Sequence, residues 1–183
     1  FMANIDTTSY SGLAQAVARS AINEGMSLFS AFVMLINYTR FGKMRGMGEI
    51  VQWSIRDETI HAEGMTKLFR VFCEEHPRIV NDTFKQDIYG MVREAVSLED
   101  KVIDLAYEMG PIEGLDASEV KQYIRYIADR RLIQLGLKGN YDVRENPLPW
   151  LEALLSTSHD NFFETTVTEY NANGLAGDDW WAA

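Results

Sequence analysis

A chain of 183 residues and 20.8 kDa can hold one domain with a sizeable core, and is too short for two ordinary ones. Its 17 Lys and Arg against 27 Asp and Glu leave a formal net charge of −10, which argues against nucleic acid as a partner because phosphate binding needs a basic face. Apolar residues at 46% exclude a disordered chain, and the single cysteine, Cys73, excludes a disulfide framework or a paired-cysteine metal knuckle. A reducing cytoplasm is the expected compartment. No apolar run is long enough to span a membrane, and Phe1-Met2-Ala3-Asn4 lacks the basic segment and apolar stretch of a signal peptide.

The first predicted element is one long helix from about Ser9 to Tyr38, with Thr7, Thr8 and Ser9 as candidate N-caps and Arg40-Phe41-Gly42 as its stop. A glycine-punctuated connector, Gly42 to Gly48, leads to a second helix from about Glu49 to Glu75, closed by Pro77. A third runs from about Asn81 to Met109 and stops at Gly110-Pro111. The fourth starts at Asp116, where Asp116-Ala117-Ser118-Glu119 has capping-box spacing, and extends to about Leu135. Asn146-Pro147-Leu148-Pro149-Trp150 then breaks the chain, which ends in a polar tail with an acidic-aromatic tip at Asp178, Asp179, Trp180 and Trp181. No internal repeat and no strand-like alternation is present, so the expected class is all-α, a bundle of long helices.

On the first helix the row at spacings of three and four is Val17, Ala21, Glu24, Leu28, Phe32 and Leu35, with Glu24 interrupting apolar neighbours. On the second it is Val51, Ile55, Glu58, His61, Met65, Phe69 and Phe72, and Glu58 and His61 leave the same face because they are three apart. Ile50, Trp53, Ile60 and Leu68 on its other faces predict a helix surrounded by protein. Carboxylates in apolar rows cost several kcal/mol unless paired, protonated or metal-bound. Ferritin-like di-metal bundles use a Glu from each of two helices and a Glu-x-x-His from each of two others, so Glu24 with Glu58 and His61 amounts to half of such a site. The competing reading is a solvated pair, since Glu-x-x-His spacing recurs by chance on helices.

Elsewhere the bland readings win. His76 in Glu74-Glu75-His76-Pro77 suits a helix C-terminus, where a cation meets the dipole, better than a ligand role. His159 lies in a polar run, and the eight methionines read as core filler. Gly42, Gly46 and Gly48 match neither phosphate-loop pattern and read as a helix connector.

Several segments together resemble a known family. Asn23-Glu24-Gly25-Met26, the connector Arg40 to Gly48, and Trp53-Ser54-Ile55-Arg56-Asp57-Glu58-Thr59-Ile60-His61 resemble the small, radical-generating subunit of class I ribonucleotide reductase. The likeness continues through Tyr126-Ile127-Ala128-Asp129-Arg130-Arg131, Asn146-Pro147-Leu148-Pro149-Trp150, Phe162-Phe163-Glu164 and Val167-Thr168-Glu169-Tyr170. It implies a ferritin-like helical domain over residues 1–155 and a flexible docking tail over residues 156–183. Glu24, Glu58 and His61 would be ligands of a dinuclear metal centre, with iron–iron expected first and manganese–iron or manganese–manganese open. Asp57 matches the family's hydrogen-bonding aspartate in the radical-transfer chain, and Tyr170 the tail tyrosine that carries the radical across the subunit interface. Leu28 and Phe32 fall where the family places the apolar wall of the metal pocket, with Leu28 replacing the usual phenylalanine.

The family's small subunit is roughly twice this long, and its first half supplies further ligands and, in most members, a radical tyrosine. Tyr10, Tyr38 and Tyr89 do not match that tyrosine's motif, so the resemblance implies a C-terminal half, whether a split-gene product or a fragment. The implied partners are the N-terminal half, the large catalytic subunit bound through the tail, and a second copy of the completed small subunit. Two other classes stay open: a ferritin-like oxidase or metal-binding homodimer in which two copies each give one Glu and one Glu-x-x-His, and a metal-free bundle that binds the large subunit.

Overall fold

The structure, a computed structural model, describes residues 6–161, with side chains through Leu155. Among these residues it is all helix apart from turns and one isolated bridge between Ile112 and Leu115, as the hydrophobic periodicity requires. The elements are α1 (Tyr10–Met26), α2 (Phe29–Asn37), a 3-10 turn (Tyr38–Phe41), α3 (Arg45–Glu75), a second 3-10 turn (Pro77–Ile79), α4 (Asp82–Glu108), α5 (Ala117–Gln134) and α6 (Pro149–Asn161). No described helix is long and apolar enough to cross a membrane.

Local chemistry sets most of the boundaries. The Gly12 N–H donates to Ser9 Oγ at 3.1 Å to open α1, and the Phe84 N–H donates to Asn81 Oδ1 at 2.9 Å to open α4. At α5 the Asp116 N–H donates to Glu119 Oε2 at 2.8 Å, closing the capping box. Pro149 sits at the start of α6, where the proline's missing N–H costs nothing.

The first corrections concern α1 to α3. The predicted helix from Ser9 to Tyr38 is two helices, because Leu28 adopts a left-handed φ of 74° and turns the chain between Met26 and Phe29. Leu28 consequently points outward, 58% exposed, and does not continue the Glu24 row. The connector is also shorter than the glycines suggest, since α3 already begins at Arg45. Gly48 belongs to that helix and is buried: a Cβ there would lie 2.1 Å from Thr39 Cγ2, so glycine is what lets α3 start against the 3-10 turn.

The helices stack in three layers. The α1–α2 pair is central, with α3 packed on one side and α4 and α5 on the other. The core runs through Ala18, Ile22, Val33 and Ile36 of the central pair to Val92 and Ile103 of α4 and Ile124 and Leu132 of α5. Leu148 and Leu151 fasten α6 to it. As an outer layer, α3 buries Val51, Ile55, Ala62 and Phe69 but leaves Ile50, Trp53, Ile60 and Leu68 exposed. The expectation of a surrounded helix therefore fails within the described residues, because α3 has helical neighbours on one side only.

Two polar devices tie the outer parts together. Arg125 forks onto Asp100 at 2.9 and 2.7 Å, joining α4 to α5 through a paired, half-buried ion pair. The buried Asp129 carboxylate accepts the N–H groups of Asn140, Tyr141 and Val143 at 2.6, 2.9 and 3.0 Å, shaping the loop between α5 and α6.

Candidate metal centre

Glu24 leaves α1 in its last turn, and Glu58 and His61 leave α3 one turn apart, so the packing of α1 on α3 sets all three on one seam. One donor atom from each lies within 4.8 Å of the others. His61 Nδ1 stands 3.7 Å from Glu24 Oε2 and 3.6 Å from Glu58 Oε2, too far for strong hydrogen bonds and close enough to share a cation. The side chains are 35%, 27% and 60% exposed for Glu24, Glu58 and His61, so the seam is open on one side.

The electrostatics show what the cluster lacks. The Glu24 carboxyl, near enough to share a proton with Glu58, holds the Glu58 carboxyl above its ordinary range; burial and charge repulsion from Glu24 add to this, and His61 opposes it. Glu58 Oε2 is buried without a hydrogen-bond partner. Two facing carboxylates with an orphaned oxygen and an imidazole are stabilised by a proton or by a metal cation, and this donor set fits a hard or borderline divalent metal. Three donors fall short of the six or so that a pair of such metals takes.

The other expected residues lie apart from this cluster. Asp57 is exposed, and among the described residues its carboxylate has no hydrogen bond or ion pair. Tyr170 lies outside the described residues, as does the acidic-aromatic tip. His76 caps α3, its N–H donating to Phe72 O, and its ring stacks on Tyr10 at 4.2 Å, so it is no ligand partner for Cys73. Burial pushes the Cys73 thiol up, as expected for a cysteine beside an apolar cavity of about 400 Å³ between α3, α4 and the end of α5.

Sequence reasoning missed two buried residues close to the cluster in the fold, Glu99 and Arg131, which bond the chain just after Glu24. Both are buried charges converging on the break between α1 and α2. A signal existed: Glu99 interrupts the row Val92, Ala95, Val96 and Ile103 just as Glu24 interrupts its own.

The chain is similar to known proteins in sequence and in fold. The model of the ribonucleotide reductase small-chain family matches residues 2–147. The chain is 48% identical over 164 residues to a protein of Invertebrate iridescent virus 3 named as a probable ribonucleoside-diphosphate reductase small subunit, an alignment covering 88% of this chain and 44% of that one. It is 38% identical over 178 residues to the ribonucleoside-diphosphate reductase subunit beta of Chlamydia pneumoniae, covering 93% and 50%. The chain thus spans about half the length of these curated relatives. Among solved structures, a candidate class I ribonucleotide reductase from Bacillus halodurans superposes with a TM-score of 0.72 at 26% identity, over 78% of this chain and 45% of that one. The ferritin-like helical architecture is shared.

Proposed function

The chain belongs to the ribonucleotide reductase small-chain family, and on that premise we propose that it supplies one half of a dinuclear metal centre in the small subunit of a ribonucleoside-diphosphate reductase. The observation that carries the reading is the convergence of Glu24, from the centre of the bundle, with Glu58 and His61, from its outer layer. When bound, the two metals supply one-electron oxidation; iron–iron is the first choice, and the donor set also suits manganese–iron and manganese–manganese. The chain's own residues do the holding. Glu24 and Glu58 would provide the negative charge and His61 an imidazole nitrogen, the cation taking the place of the proton that the raised Glu58 carboxyl holds more tightly than usual.

Asp57, exposed beside Glu58, is assigned to hydrogen bonding in the radical-transfer chain with groups on the partner segment. Tyr170 is assigned to carry the radical toward the large subunit, and residues 156–183 to dock there. The open side of the seam and the uncovered apolar side chains of α3 support completion of the site by another polypeptide segment, the family's N-terminal half. The same two features favour one competitor, a homodimer in which a second copy brings its own Glu24, Glu58 and His61.

Metal analysis separates the two. The purified chain should retain little iron or manganese alone and load it once an N-terminal half is added. One metal per chain in a purified homodimer would instead establish the symmetric site, and no metal in any pairing would leave a metal-free bundle. Tyr170→Phe in the complete enzyme should abolish nucleotide reduction with metal loading intact; unchanged turnover would remove Tyr170 from the radical route.

A further inference from the structure

The turn that ends α1 lies within one helical turn of Glu24, and it is held by side chains from elsewhere. A continuous helix would bond the Leu28 N–H to the Glu24 carbonyl and the Ser30 N–H to the Met26 carbonyl. Here the Leu28 N–H donates to Glu99 Oε1 at 3.2 Å and the Ser30 N–H to Glu99 Oε2 at 3.0 Å. The last bond of α1 is from the Ser27 N–H to Asn23 O at 2.9 Å. On the other side of the break, Arg131 Nε donates to the Gly25 carbonyl at 3.1 Å. Glu99 is 6% exposed and reaches in from α4; Arg131 is 9% exposed and reaches in from α5.

Nothing local demands this break. Leu28 is neither glycine nor asparagine, the residues that tolerate a left-handed φ, and its side chain gains little burial by turning outward. The cause is tertiary. A buried carboxylate accepting two N–H groups at the N-terminus of α2 is stabilised by charge-assisted hydrogen bonds and by the helix dipole. The guanidinium does the same for a carbonyl freed at the end of α1. The two buried charges thus satisfy the two sides of one interruption.

We propose that Glu99, seconded by Arg131, is a positioning residue for the metal centre: by fixing where α1 stops, it fixes the Glu24 carboxylate against Glu58 and His61. This rests on the reading of those three residues as ligands. If the break closed and the helix ran on, α1 would be free to shift in rotation and rise, and Glu24, in its last turn, would move with it.

The test compares Glu99→Gln with Ile88→Val, a core substitution at the far end of α4 that trims stability without touching the break. The amide of Gln presents a donor where one N–H needs an acceptor, so the fork onto Leu28 and Ser30 is lost while size is kept. Hydrogen exchange on the full chain is the first measurement. Glu99→Gln should speed exchange about tenfold, about 1.4 kcal/mol of local opening, at Leu28 and Ser30 and also at the amides of Asn23 to Ser27. Change confined to residues 28–31 would reduce Glu99 to a cap for α2 and overturn the proposal. The second measurement is Mn²⁺ binding to the full chain by electron paramagnetic resonance, where Glu99→Gln should weaken affinity about fivefold or more relative to Ile88→Val. Equal affinities would also overturn it. If the unmodified chain holds no Mn²⁺ by itself, the positioning of α1 is decided by the exchange data, and the ligand reading fails only if metal is still not held once the N-terminal half is added.

Discussion

Gly25→Ala sets two effects of opposite sign against each other. Replacing a helical glycine by alanine ordinarily stabilises by up to about 1 kcal/mol, because glycine loses more backbone entropy on folding. At this position a Cβ would lie 2.2 Å from Arg131 Nε and 2.8 Å from its Cδ, so the buried guanidinium must leave its place on the Gly25 carbonyl. A hydrogen bond from a charged group contributes about 1.5–3 kcal/mol, and a buried guanidinium stripped of an acceptor adds to the loss. Gly25 also sits next to the last residue of α1, where the gain in propensity is below its mid-helix value. The loss therefore outweighs the gain by about 1–2 kcal/mol, which for a chain of this size lowers Tm by about 3–6 °C. Thermal unfolding followed by circular dichroism at fixed pH measures it. An unchanged or raised Tm would refute the reasoning, showing that Arg131 swings aside without cost and that the glycine is not needed for its approach.

Further expectations concern charge and burial. Asp129→Ala leaves three backbone N–H groups without their buried acceptor, and should cost about 2–4 kcal/mol since water can serve part of that loop; calorimetry showing less than about 1 kcal/mol would demote it to a minor anchor. The raised Glu58 carboxyl binds a proton more tightly in the folded metal-free chain than in the unfolded one, so its contribution is present at acid pH and is lost as pH rises through the folded value. Glu58→Gln should accordingly flatten the pH–stability profile of the metal-free chain just above the ordinary carboxylate range, where that proton is lost, and an unaltered profile would place the proton elsewhere. Cys73, with its thiol pushed up by burial, should be alkylated by iodoacetamide at neutral pH well below the rate of a free thiol; labelling at the free-thiol rate would mean that the cavity opens readily.

What could be read from the sequence follows the reach of the forces involved. The starts of α4 and α5 were legible because Asn81 and the pair Asp116 and Glu119 act on amides within three residues of themselves. Glu24, Glu58 and His61 were legible as a set because each breaks an apolar row, which betrays a polar group that needs company. The break at Leu28 was not, since the side chain responsible comes from α4, and the sequence through 27–30 has no glycine or proline to mark it. The extent of α3 was misjudged for a related reason: Gly46 and Gly48 look like linker residues until Thr39 is seen against the helix. The α6 helix is hard to see in the sequence because the Asn146-Pro147-Leu148-Pro149-Trp150 segment reads as a break, although Pro149 is also a suitable first helical residue.

The layered arrangement ties site occupancy to local unfolding. Glu24 belongs to the innermost helix pair, while Glu58 and His61 ride on an outer helix with helical neighbours on one side only. Undocking α3 would separate the donors and break the stack of Phe69 on Phe84 while leaving the packing of α4 on α5 in place, so an ion bound by all three donors would act as a staple, raising the free energy of that one opening in proportion to the logarithm of its concentration. The relation is reciprocal: a cut at Phe69, which stacks on Phe84 of α4 at 6.1 Å well along α3 from His61, would weaken metal retention by loosening the helix that carries two of the proposed ligands. On the proposed reading, metal retention would depend on how firmly α3 stays docked as well as on Glu24, Glu58 and His61 themselves.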